Sequence, residues 1–276
     1  MRLFALLFIA SLAWAQQPAD PTYAPSWNEL AAKFAQKARE TSDYSWYAKA
    51  DEAIAKSLAL APDNYGANRV RVWALLGRDE YEKALELANK LKHQMPDDVA
   101  IYGYMADAQF ELGDYKDAVE SVGWMLRLRA GNAPALARAG YLREVYGDLN
   151  GAMEVIRIAY EGTSPSADGD RAALLAQWAR EYWLAGQYQE AETRANQALT
   201  AVREFAPALE VLGRLRMAEG RYADAAAYFA RRYRAAAHPE NLYLLGVAIE
   251  SGAGRAGERN VHAIREGSRG GNRKRR

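Results

Sequence analysis

The sequence predicts an all-α fold, an α-solenoid of about six helix-turn-helix repeats followed by one additional partial repeat, and three observations predict it. A short hinge-like segment recurs: Leu112-Gly113-Asp114-Tyr115-Lys116-Asp117-Ala118 returns as Gly147-Asp148-Leu149-Asn150-Gly151-Ala152, Gly186-Gln187-Tyr188-Gln189-Glu190-Ala191 and Gly220-Arg221-Tyr222-Ala223-Asp224-Ala225. Gly77-Arg78-Asp79-Glu80-Tyr81-Glu82-Lys83-Ala84 reads as a looser upstream copy with two extra residues. The closing alanines, with Ala50 included, stand at 50, 84, 118, 152, 191 and 225, so every step is 34 residues except one of 39; a period of this size marks stacked supersecondary units. Alanine, leucine and charged residues dominate, proline is confined to a few boundaries, and runs of alternating β-branched residues are missing, which favours helix over strand. In such a stack each unit contacts mainly its neighbours, so the 276 residues count repeats rather than separate cores.

The elements follow in order. Met1-Arg2 supplies a positive charge, Leu3 to Trp14 is an apolar run with one Ser11, and Ala13-Trp14-Ala15 offers small residues before a cut. About twelve residues at roughly 1.5 Å each cannot cross roughly 30 Å of hydrocarbon. Residues 1–15 are therefore expected to be a secretory signal peptide, and the protein to be exported, periplasmic or extracellular, with no transmembrane segment in the mature chain. Residues 16–27 hold Pro18, Pro21 and Pro25, and predict an extended leader. The solenoid is placed at 28–252. Ser26 or Asn28 caps a first helix to about Glu40, paired with Ser45 to Leu60; Pro62 and Pro96 close the first two units, 34 residues apart. Later pairs are expected at about 64–76 with 79–93, 99–112 with 115–128, 133–146 with 150–160, 171–185 with 188–202, and 207–219 with 222–236. The polar stretch Thr163 to Asp170 accounts for the 39-residue step, with Asp170 as helix cap. Pro239 opens one more helix, in which Leu242, Leu245 and Gly246 repeat Leu209, Leu212 and Gly213. Residues 253–276 read as a disordered Gly/Arg-rich tail.

Charge and composition exclude several functions. The formal charge is +1, yet residues 253–276 carry eight Arg or Lys against two Glu, which leaves the helical part mildly acidic. It therefore lacks the broad basic face that nucleic acid requires. No cysteine is present, so disulfides, thiolate metal sites and cysteine nucleophiles are excluded. The three histidines, His93, His238 and His262, have no metal-ligand spacing and no paired serine or acid nearby in sequence. Gly252-Ala253-Gly254-Arg255-Ala256-Gly257 matches a dinucleotide fingerprint in letters, but it follows a helix and lacks the acidic residue further on. Neither a cofactor nor a metal is expected, and the chain is read as not an enzyme.

Leu209-x-x-Leu212-Gly213, Leu242-x-x-Leu245-Gly246, Ala225-x-x-x-Phe229 and Ala152-x-x-x-Ile156, together with the 34-residue period, resemble the tetratricopeptide repeat over about Asn28 to Gly254. The resemblance implies a right-handed superhelix whose concave side is lined by the first helix of each unit, at its fifth, ninth and twelfth positions. These share one face by their i, i+4, i+7 spacing. The ninth positions are taken as Arg71, Asp107, Tyr141, Arg180 and Arg214, the twelfth as Ala74, Phe110, Glu144, Trp183 and Met217, and the fifth are mostly small. Tyr104 is a further aromatic on these helices. A groove of small residues walled by aromatics and arginines implies a protein-protein interaction scaffold that binds an extended peptide or helix, its partner unidentified. The alternative is a carbohydrate-binding component of envelope or polysaccharide export, with Tyr104, Phe110, Tyr141 and Trp183 stacking on sugars. The glycines at 113, 147, 186 and 220 suit left-handed turns, while Ala106, Gly140, Ala179, Gly213 and Gly246 face the periodic alanines across a close seam. Leu136, Leu175, Leu209, Tyr115, Tyr188 and Tyr222 are expected to fill the core.

Overall fold

The structure is a computed structural model and describes residues 18–41, 43–235 and 239–254. The expected signal peptide and most of the expected tail lie outside them. All regular elements among the described residues are helices. They fall into two compact units, Met1–Pro165 and Ser166–Arg276. The first holds four helix pairs: α1 (Ala24–Thr41) with α2 (Ser45–Leu60), α3 (Tyr65–Leu76) with α4 (Tyr81–Gln94), α5 (Val99–Leu112) with α6 (Tyr115–Leu128), and α7 (Ala133–Val145) with α8 (Leu149–Glu161). The second holds α9 (Asp168–Leu184) with α10 (Tyr188–Ala201), α11 (Ala206–Ala218) with α12 (Tyr222–Ala235), and a further helix, α13 (239–254). Within each unit helices pack on their sequence neighbours, and first helices also pack on the next first helix, as stacked repeats require.

Two starts differ from the sequence expectation. Helix α1 begins at Ala24, so Pro25 to Trp27 are helical rather than part of an extended leader. Proline is tolerated in a first turn because that amide has no helical acceptor. The Trp27 indole donates to the Pro21 carbonyl at 2.9 Å and ties the leader down. Helix α9 begins at Asp168 behind Ala167, so Asp170 lies in the first turn, where its charge favours the helix dipole, instead of capping it.

The hinges share one geometry. Gly113, Gly147, Gly186 and Gly220 have φ of 81, 82, 74 and 72°, and the next residue's amide reaches back five residues: Asp114 to Gln109, Asp148 to Arg143, Gln187 to Tyr182, Arg221 to Arg216. This is the Schellman closure, which needs a left-handed residue. The first hinge makes the same bond, Glu80 N–H to Leu75 O at 3.0 Å, but its left-handed residue is Asp79, with φ 61°, while Gly77 is right-handed. The copy therefore has no two extra residues: Asp79 stands 34 before Gly113, in glycine's place, as short polar residues tolerate. Gly77 serves packing instead, since a Cβ there would sit on the Tyr47 ring. The helix starts agree. Asn64, Asp98 and Asn132, again 34 apart, each accept an N–H of their first turn, from Ala67, Ala100 and Ala135.

The alanine seam is closed at every repeat: Ala50, Ala84, Ala118, Ala152, Ala191 and Ala225 are fully buried. A Cβ on Gly140 would approach Ile156 to 2.7 Å, and one on Gly213 would approach the Phe229 ring to 2.4 Å. Leu175 and Leu209 are buried, Leu136, Tyr115 and Tyr222 half-buried, and Tyr188 is exposed rather than core.

Candidate functional site

With the period counted from Asp79, the ninth positions of the first unit's first helices are Arg39, Trp73, Asp107 and Tyr141, each 34 residues after the last. Trp73 thus takes the place expected for Arg71. A cavity of about 570 Å³ opens on this face, lined by Arg39 of α1, Arg69 and Trp73 of α3, Gly103, Tyr104 and Asp107 of α5, and Arg138 of α7. Arg71 is exposed and is not among its lining residues.

The floor is rigid. Trp73 and Tyr104 stack with centroids 6.4 Å apart and planes 19° from parallel, and the Arg39 guanidinium lies 5.9 Å from the Trp73 ring. Burial pushes the Tyr104 phenol above its ordinary range, which keeps it neutral at physiological pH. Arg138 crosses from α7 to α5, where Nε and Nη2 donate to the two Asp107 oxygens at 2.7 and 2.5 Å. The same Nε–H is shared with the Gly103 carbonyl at 3.2 Å, and Nη1 donates to the Pro134 carbonyl at 3.0 Å. Gly103 lies close beneath, since a Cβ there would press to 3.1 Å of the Met125 methyl and touch the guanidinium at 3.4 Å. Burial disfavours the Arg138 charge, but Asp107 outweighs it, so the group is held firmly protonated. At the rim Asp98 caps α5, accepts from the Tyr65 hydroxyl at 2.9 Å and pairs with Arg69 at 3.2 Å. The site is a fixed polar frame around an aromatic shelf.

The other expected residues fall elsewhere. Phe110 is buried against Leu142 and Val122, with its ring edge-on to Tyr141 at 5.0 Å; Tyr141 and Glu144 are half-buried on α7. In the second unit Arg180 is exposed and Trp183 half-buried. Arg214 lies 5.6 Å from the Trp183 ring and bonds Glu210 at 2.8 Å, and Glu210 also pairs with buried Arg232 at 2.8 Å. Met217 packs against the cluster of Ala225, Phe229 and Ala248. Sequence reasoning missed Trp73, Arg69, Arg39 and Arg138. The first three were reachable by counting 34 back from Asp107 and Gly103 instead of aligning Gly77 with Gly113.

Residues 177–241 match the tetratricopeptide repeat family. Among solved structures the chain is similar to the APC/C hetero-tetramer Cut9–Hcn1, with a TM-score of 0.64 and 16% identity over 83% of this chain and 44% of that one. This chain therefore spans less than half of that protein's length. It is also similar to a thermophilic TPR protein of Thermus thermophilus, with a TM-score of 0.54 and 19% identity over 66% of this chain and 91% of that one. PilW, a widely conserved type IV pilus biogenesis factor, gives a TM-score of 0.55 at 18% identity over 68% and 89% of the two chains. At these identities the likeness establishes the fold. No curated protein sequence matches the chain. Among the described residues no group of three or more His, Cys, Asp or Glu is placed to hold a metal, and no helix is long and apolar enough to cross a membrane.

Proposed function

We propose that the chain is a non-catalytic scaffold for protein-protein interaction and that the cavity of its first unit binds an extended peptide. The observation that carries this is the Trp73–Tyr104 shelf, held beside the Arg138–Asp107 pair in an open cavity of about 570 Å³. Parallel rings give an apolar surface at little entropic cost, and buried aromatics and arginines are the usual centres of binding energy. The mixed-charge rim of Arg39, Arg69, Asp97 and Asp98 suits a peptide with both polar backbone and side-chain groups. The inner face of the second unit, with Arg180, Trp183 and Arg214, is a weaker contact stretch, since Glu210 already engages Arg214. The apolar run Leu3 to Trp14 ahead of Ala13-Trp14-Ala15 supports export, which places the partner outside the cytoplasm.

The test is selection of random displayed peptides on the full chain, followed by affinity measurements on variants. Enriched peptides should lose binding to Trp73→Ala and Tyr104→Ala while the variants keep their helicity. Enrichment that is indifferent to both substitutions places binding on another surface and overturns the reading.

A further inference from the structure

Helix α13 repeats the sequence pattern of α11 but not its burial. In α11, Ala208, Val211 and Leu215 form one buried side, and Leu209, Leu212 and Gly213 form the other, which receives α12 with the Phe229 ring over Gly213. In α13 the first side is in place: Asn241 and Ala248 are buried, and Leu244 packs on the Ala225–Phe229 cluster. On the second side Leu245 packs on the same cluster, but the rest is open. Leu242 and Ile249 are 50 and 57% exposed, whereas Leu209, the counterpart of Leu242, is 0%. Among the described residues, nothing lies within 4 Å of a Cβ built on Gly246, where Gly213 meets Phe229 and Gly140 meets Ile156. Leu242, Gly246 and Ile249 share one helix face by their spacing.

We propose that this face of α13 docks an amphipathic helix of a partner protein, one that carries an alanine and, four positions later, a large apolar residue aimed into the hollow at Gly246. The continuity of the repeat defines that occupant. Every first helix whose seam residue is glycine and contacts its second helix receives an Ala-x-x-x-Phe or Ala-x-x-x-Ile partner: Ala225 and Phe229 on Gly213, Ala152 and Ile156 on Gly140. Residues 255–276 do not supply one. Glu258 and His262 stand 33 after Ala225 and Phe229, the offset that sets Gly246 against Gly213, and neither alanine in 255–276 is followed four residues later by an apolar residue. The site is separate from the first unit's cavity and stands or falls independently of it.

The probe is a labelled peptide of residues 221–235, which holds Ala225 and Phe229, titrated into the full chain by fluorescence anisotropy. Saturable binding is expected. It should weaken at least about tenfold, the equivalent of roughly 1.4 kcal/mol, when Gly246→Phe fills the hollow, and equally when the probe carries Phe229→Ala. Gly246→Phe should leave helicity and the melting midpoint in place. Absence of binding, or binding indifferent to both changes, overturns the proposal. Binding that emerges only after deletion of residues 255–276 shows that the chain covers its own helix. A dimer in sedimentation that Gly246→Phe dissociates gives the face to a second copy. Either result overturns the partner assignment.

Discussion

The inner faces of the two units are built from the same repeat positions and use them differently. In the first unit the ninth-position column of Arg39, Trp73 and Asp107 borders a cavity, and the one deeply held arginine, Arg138, is satisfied by Asp107 and two carbonyls without closing over the ring shelf. In the second unit Glu210 occupies the fifth position where Gly103 stands in the first, and draws both Arg214 and Arg232 onto itself. Gly103 leaves room for the cavity beside Arg69, which holds the same position in α3; the acid at Glu210 turns the surrounding cations into internal structure.

The largest expected effect tests that contrast in binding. Trp73→Ala combined with Tyr104→Ala should lower the affinity for a selected peptide about 100-fold, near 3 kcal/mol, as measured by calorimetry. Arg180→Ala, Trp183→Ala and Arg214→Ala together should cost about fivefold, near 1 kcal/mol. Reversed magnitudes would move the site to the second unit. Next comes stability. Glu210→Gln strips the charge partner from Arg232, which is 8% exposed at its side chain, and should cost about 2 kcal/mol in urea unfolding, below the range for fully buried pairs because Glu210 is 24% exposed. Asp107→Asn should cost about 1 kcal/mol, since Arg138 keeps its two carbonyls and is 21% exposed.

The seam glycines give a smaller contrast. Gly213→Ala sets a Cβ against a ring and should destabilise by about 1 kcal/mol net of the gain in helix propensity. Gly140→Ala meets the terminal methyl of Ile156, which can turn aside, and should be neutral within about 0.5 kcal/mol. The smallest effect is a pH dependence in the second unit. The hydrogen bond from Arg231 holds the Glu204 carboxyl below its ordinary range. A depressed carboxylate stabilises the fold above its unfolded pKa and loses that contribution as pH falls through the folded value. The melting midpoint should therefore decline below about pH 4.3, and Arg231→Gln should flatten that part of the curve.

The period, the left-handed glycines at four hinges and the buried alanines were legible because each is a local steric demand that only small residues meet. The first hinge was not, because Asp79 meets the same demand with a different side chain, and the nearby Gly77 answers to Tyr47 across the helix pair. That misalignment moved the expected ninth position by two residues and hid Trp73 behind Arg71. Phe110 shows a second limit: its spacing put it on the inner face, yet Leu142 and Tyr141 of the next helix pair cover it, a contact that periodicity within one helix does not contain. The open side of α13 was invisible for the opposite reason, since Leu242-x-x-Leu245-Gly246 reads the same whether or not a helix covers it.

The most direct test of the central claim is a heteronuclear NMR titration of the full chain with a selected peptide, following the indole N–H signals and assigning Trp73 through Trp73→Phe. The Trp73 signal should shift and saturate with the peptide while that of Trp183 moves less. A saturating shift at Trp183 with Trp73 unmoved would contradict the account.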